Sequence, residues 1–185
     1  MGPRPQANEA EFPPAQAVNR PADEALPDGL CGDFNIRIAR DGTWFYRGSP
    51  IGRLALCRLF ATVLHRKEDG SYWLTTPAES GRIEVEDAPF IGVALMREGS
   101  GRGQTLRIRT NLDDVVPLDA EHPLRVAESA DGTPRPYVFV RRGLEARLAR
   151  PVFYEMVEMA EPDPATADVL GVWSAGIFFR LGRCR

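Results

Sequence analysis

Lysine is almost missing from this chain. Lys67 is the only one in 185 residues, and every other cation among the 23 lysines and arginines is arginine. Arginine suits bidentate sites for phosphate or carboxylate. It is also an ordinary solubilising surface residue, so each arginine must argue by its position. Histidine is scarce too, with only His65 and His122. The three cysteines, Cys31, Cys57 and Cys184, are widely spaced and form no CxxC, which argues against a disulfide framework or a structural zinc site. No run approaches the ~18 apolar residues of a membrane-spanning helix, and no N-terminal stretch resembles a signal peptide. The expectation is a cytoplasmic protein with no membrane partner. Net charge is −3, so no global field favours nucleic acid.

The hydrophobic fraction of 43% can fill a core, and the charged fraction of 26% is ordinary for a globular protein. Residues 1–28 are rich in Pro and Ala and lack apolar periodicity. They read as a flexible arm that packs only where Leu26 and Leu30 approach the core. Residues 29–80 read as an N-terminal α+β subdomain, and 81–185 as a C-terminal β-barrel-like subdomain with one helix.

Phe34, Ile36 and Ile38 alternate with polar residues as in a half-buried strand. Asp41-Gly42 is a turn, and Trp44-Phe45-Tyr46 resumes as a strand of strong β formers. A helical stripe follows: Ile51, Ala55, Leu59 and Val63 recur every four residues, flanked by Leu56, Phe60 and Leu64. Ser49 and Pro50 fit an N-cap and a first helical position. Several strands come next, with the loop Gly99 to Gly103 joining two of them. Asp131-Gly132, Tyr137 to Val140 and Leu144 to Leu148 then read as turn, strand and hairpin partner. Pro151 opens a second helix with Val152, Phe153, Met156, Val157 and Ala160 on its apolar face. Val169 to Phe179 closes the chain as a strand region. The fold class expected is α+β, with duplicated hairpin–helix–strand units and mostly antiparallel sheets.

Self-similarity supports the duplication. A shift of about 93 positions lays Trp44 on Tyr137, Tyr46 on Phe139, Leu59 on Val152 and Phe60 on Phe153. Trp73 meets Trp173 once a longer loop is allowed. The match is of character rather than identity. It also revises the first copy: Pro50 to Arg53 becomes a short returning strand, and the helix begins nearer Leu54.

The segments DGTWFYRGSPIGRLALCRLFATVL, YWLTTPAESGRIEVEDAPF and TNLDDVVPLDAEHPLRV resemble the uncharacterised bacterial family called domain of unknown function 1285, over roughly Cys31 to Gly182. The resemblance implies a duplicated core and a C-terminal half loosely like a pleckstrin-homology barrel. It also implies a ligand site between the halves for a nucleotide-like molecule, and a role in signal transduction. It brings no activity and no known cofactor. The Pro-rich arm departs from the family pattern.

Within that frame, eight residues are candidate ligand contacts. Trp44, Tyr46 or Tyr137 would stack on a planar group, and Arg53 or Arg141 would meet an anionic one. Thr76, Glu79 and Asn111, which the resemblance puts near the contact of the halves, would hydrogen-bond a base or ribose. The competing reading of Thr76, Glu79 and Asn111 is turn chemistry. The segment Arg47 to Pro50, with Arg53, is either an anion site at a helix start or a turn and cap. Arg107 and Arg109 share a strand face beside Arg97 and Arg102, a basic stripe or a solvated sheet face. No catalytic set emerges. Cys57 and His65 would stand roughly 12 Å apart on a helix, too far for a nucleophile and its base. Asp113, Asp114, Glu121 and His122 match no defined metal spacing. A non-catalytic small-molecule binding or regulatory protein is the leading expectation. The alternatives are a protein–protein interaction module with a protein partner, and an enzyme of unrecognised class.

Overall fold

The computed structural model describes residues 31–183. The arm expected at 1–28 lies outside the described residues, as does Cys184. The fold is mixed α+β and mostly sheet. The first half runs β1 (Cys31–Ile38), β2 (Trp44–Tyr46), β3 (Ser49–Pro50), α1 (Leu54–Val63), β4 (Leu64–Arg66), β5 (Tyr72–Thr75) and β6 (Ser80–Val85). The β1–β2 hairpin turns where Asp41 accepts a hydrogen bond from the Thr43 N–H at 2.9 Å and Gly42 takes φ +85°. A positive φ of this kind favours glycine.

Helix α1 starts at Leu54, as the repeat implies, and its N-cap is Arg53 rather than Ser49. Ser49 and Pro50 are instead paired with Tyr46 and Phe45 as strand β3. The buried face of α1 carries Cys57 and Ala61, while Leu59 is 61% exposed. Ala55 and Leu59 of the four-residue stripe stand two positions, about 200°, from Cys57 and Ala61, so they lie on the side of the helix away from the core.

The second half runs β7 (Phe90–Glu98), β8 (Thr105–Thr110), β9 (Val115–Pro117), β10 (Leu124–Glu128), β11 (Pro134–Arg141), β12 (Leu144–Leu148), α2 (Arg150–Glu158), β13 (Glu161–Asp163), β14 (Thr166–Ser174) and β15 (Ile177–Arg183). The closing region is thus two strands, because Ala175 and Gly176 take positive φ and turn the chain. The change of sheet comes between Val85 and Phe90, later than the residue-80 boundary read from the sequence. β6 belongs to the first sheet, between β1 and β5.

Two six-stranded sheets share one arrangement. The first has the order β3-β2-β1-β6-β5-β4 and the second β10-β11-β12-β7-β8-β9. In each, two antiparallel meanders are joined by a parallel pair between the first and last strands, β1 with β6 and β7 with β12. The repeat read from the sequence follows a second correspondence. β1-β2-β3, α1 and β4-β5-β6 answer to β10-β11-β12, α2 and β13-β14-β15, a meander, a helix and a meander each time. The two copies differ at their seam. β1 and β6 form a ladder, whereas β10 and β15 lie side by side in different sheets.

One apolar cluster runs through both halves, from Ile36, Ile38 and Trp44 to Phe90, Ile108, Leu144 and Met156. The β14–β15 hairpin is tied to it by a polar clamp. Fully buried Ser174 Oγ accepts the Leu106 N–H at 2.9 Å and donates to the Leu118 carbonyl at 2.6 Å. Ser174→Ala strands both backbone groups out of water, so it should cost ~1–3 kcal/mol in urea unfolding. An unchanged midpoint would show that neither bond matters.

Candidate functional site

The outer face of the β11–β12 hairpin joins the two halves. Leu144, Ala146 and Leu148 point into the core, so alternation turns Glu145 and Arg147 outward. Register sets Tyr137 between Arg147 on one side and Arg125 on the other. Asp87, on the link between the sheets, accepts a hydrogen bond from the Tyr137 hydroxyl at 2.7 Å. Its other oxygen lies 3.4 Å from Arg147 Nε, an ion pair between two buried atoms that lack hydrogen-bond geometry. Burial pushes the Tyr137 phenol up, and the bond to Asp87 adds to the shift, so Tyr137 stays protonated. Arg147 also donates to the Arg40 carbonyl at 2.9 Å. It therefore pins the β1–β2 turn of the first half onto the sheet of the second.

A cavity of about 430 Å³ opens beside that pin. Arg40 comes from the first half, Arg135 from β11, Arg147 from β12 and Arg150 from the start of α2, and Tyr154 borders it on the next turn of the helix. Among the described residues, Arg40, Arg135 and Arg150 have no ion pair with a carboxylate. Among the described residues, the single carboxylate in the lining is Asp131. The Ser129 hydroxyl and the Thr133 N–H hold it down at about 2, so it stays charged and closes its own turn. No side chain caps α2, and Pro151 has no N–H. The first intrahelical bond runs from the Phe153 N–H to the Ala149 carbonyl, which leaves the Arg150 and Val152 N–H groups without a helical acceptor. The arrangement suits an anion: several arginine forks, a helix start and an exposed tyrosine ring.

The eight residues expected from the sequence fall in different places. Tyr46, Thr76 and Glu79 do meet, around a separate cavity of about 540 Å³ between β1, β2 and α1. Its walls are mainly apolar, and the Thr76 hydroxyl is engaged with Glu79 and Ala78 in its own turn. Trp44 is 2% exposed and stacks on Phe60 with ring centroids 6.2 Å apart. That burial takes it away from any surface on which a ligand could stack. Asn111 holds the halves together, accepting from the Ile91 N–H at 3.0 Å and donating to the Gly42 carbonyl at 3.3 Å. Arg141 does the same, reaching Asp114 at 2.9 Å and the Ala61 carbonyl at 3.2 Å. Tyr137 is buried behind Asp87, and Arg53 stands exposed at the start of α1.

The basic stripe is a paired, exposed sheet face: Arg107 meets Glu98 and Arg109 meets Asp113. Arg58 of α1 also meets Asp113, and His122 pairs with Asp119. No group of three or more potential metal ligands occurs among the described residues. Among the described residues, no helix is long and apolar enough to cross a membrane.

The sequence reading missed Arg40, Arg135, Arg147 and Arg150. It looked for an anion at the start of the first helix, with Arg47 and Arg53. The arginine cavity sits at the start of the second helix, its counterpart in the repeat. The signal was present as Arg150-Pro151 directly after a strand carrying Arg147.

Two packed halves that share one strand arrangement define this class of α+β protein. The N-terminal domain of DUF1285, a domain of unknown function, matches residues 21–88, and the C-terminal domain of that family matches residues 89–181. The chain belongs to the DUF1285 family. It is similar to a DUF1285 family protein from Silicibacter pomeroyi DSS-3, whose crystal structure aligns with a TM-score of 0.76 at 44% identity, covering 82% of this chain and 81% of that one. A DUF1285 family protein from Shewanella baltica OS155 aligns with a TM-score of 0.53 at 28% identity, over 66% of this chain and 90% of that one. No curated protein matches.

Proposed function

We propose that this protein is a non-catalytic binder of a small phosphorylated, nucleotide-like molecule, held between its halves in the arginine cavity. The observation that carries the reading is the set of four arginines around about 430 Å³, three of them without a carboxylate partner among the described residues. A phosphate would take the forks of Arg135 and Arg150 beside the open amides of α2. A base or other planar group would lie on Tyr154, which is 57% exposed. Arg40 would add a contact from the first half, so occupancy would strengthen a junction that Arg147 already makes. A signalling role follows from that coupling: ligand would stiffen the joint, and a partner would read the joint. The C-terminal half would then act as pleckstrin-homology-like folds do, a likeness of fold that carries no site.

The test is the melting temperature against pyrophosphate, nucleoside monophosphates, nucleoside diphosphates and phosphorylated sugars. A ligand at about a hundredfold its Kd should stabilise by ~2.7 kcal/mol. For a chain of this size that is roughly 5–10 °C. No shift with any phosphorylated compound would sink the reading.

A further inference from the structure

The arginine cavity has a neighbour. A cleft of about 820 Å³ runs between β10, α2 and β15, and it shares Phe153 and Pro134 with the arginine cavity. Its origin is topological. In the first copy of the repeat the seam is closed by the β1–β6 ladder, but in the second copy β10 and β15 belong to different sheets. Where a ladder would have filled the space, side chains line an open trough. Leu124 and Val126 come from β10, Val157 and Ala160 from α2 and its end, and Phe179 and Leu181 from β15. Val157 is an apolar residue left 39% exposed on that trough. The volume lies within the ~300–1,000 Å³ of small-molecule sites. The two cavities meeting at Phe153 therefore present a cationic end and a cleft in which buried Leu124, Phe179 and Leu181 lie beneath exposed Arg125, Glu128, Arg180 and Arg183.

We propose that, besides a nucleotide-like ligand, the joined cavities take a second ligand class, a single-chain amphiphile that is a phosphate monoester of a long aliphatic or isoprenoid alcohol. Its phosphate would lie among Arg135, Arg147 and Arg150, and its chain would run past Phe153 into the β10–β15 cleft. This rests on the anion reading of the arginine cavity and adds the apolar tail. The head alone would bind weakly, and chain length would set the affinity. Each buried methylene can tighten binding by about fourfold at most. The ligand enters as a free molecule, since the cleft is a trough for one chain rather than a flat apolar face.

The experiment is calorimetric titration of the full chain with glycerol 3-phosphate, butyl, octyl and dodecyl phosphate and dodecanol, each kept below its micelle concentration. The expected result is saturable one-to-one binding that tightens at least tenfold from butyl to octyl phosphate, with dodecanol weaker than dodecyl phosphate by a similar factor. Val157→Glu should bring octyl phosphate back to the affinity of butyl phosphate and leave glycerol 3-phosphate unchanged. If that variant folds poorly, the chain-length series on the native protein decides alone. Equal affinity for glycerol 3-phosphate, butyl and octyl phosphate would overturn the tail while the anion reading stands. Binding of dodecanol as tight as dodecyl phosphate, with no binding of glycerol 3-phosphate, would overturn both. Capture by phosphatidic acid vesicles without binding of monomeric dodecyl phosphate would place the chemistry at a lipid surface and overturn the free-ligand proposal.

Discussion

Reversing two charges, Arg135→Glu together with Arg150→Glu, should weaken binding of a phosphorylated ligand by more than about a hundredfold. A hydrogen bond to a charged group is worth ~1.5–3 kcal/mol, and every ~1.4 kcal/mol is tenfold in affinity. Losing two such bonds accounts for the expected drop before any repulsion is counted. The fold should tolerate the change, because neither arginine has an ion-pair partner among the described residues and neither is buried. The melting temperature without ligand should therefore move by no more than a few degrees. Isothermal titration of native and double-variant protein with the best compound from the melting panel measures this directly. Retained affinity in a folded double variant would mean that the phosphate lies elsewhere. Arg147 is the wrong residue for the test. Its removal leaves Asp87, whose side chain is 11% exposed, without its cation. Breaking a buried pair from one side destabilises strongly, so lost binding would be confounded with lost structure.

Trp44→Ala should cost ~3–5 kcal/mol of folding stability, the usual penalty for emptying a buried aromatic site. At about 2–4 °C per kcal/mol for a chain of this length, the melting temperature should fall by roughly 6–20 °C. Trp44 packs against Phe60 of α1 and carries the β1–β2 hairpin into the core. Its buried Nε1–H has no hydrogen-bond partner among the described residues. Trp44→Phe keeps an aromatic ring and removes that unpaired donor, so it should cost far less than Trp44→Ala. Urea unfolding of both variants separates the two expectations. A loss below about 1 kcal/mol for the alanine variant would show that Trp44 is a surface residue, as a stacking role would require.

The strand pattern was legible where apolar residues alternate on one face, as at Phe34 to Ile38 and Leu144 to Leu148, because one side of each strand is buried. The start of α1 was legible only through the repeat. Its own local signals, Ser49 and Pro50, mimic a cap but serve a two-residue strand. Two of the aromatic candidates, Trp44 and Tyr137, are buried. Trp44 and Tyr137 are large and strong β formers, and burial of their rings is the cheaper use of them in a sheet protein. The arginine cavity was illegible for a different reason. Its four cations come from a hairpin turn, two strands and a helix start, and they converge only through the parallel pairing of β7 with β12 and the Arg147, Asn111 and Arg141 bonds to the first half. Residue spacing along the chain does not encode that convergence. In a sequence whose cations are nearly all arginine, composition offered no contrast either.

The parallel pair that closes each sheet has a kinetic meaning. In both halves the first strand finds its partner only after the last strand of the same six has been made. Such closures carry a loop entropy that local hairpins avoid, and sequence-distant pairing slows folding. During synthesis the first sheet has all its strands once Val85 has emerged, well before β12 exists. The half that carries α1 and the Asn111-binding turn at Gly42 should therefore be assembled early, as a surface on which the later half completes itself.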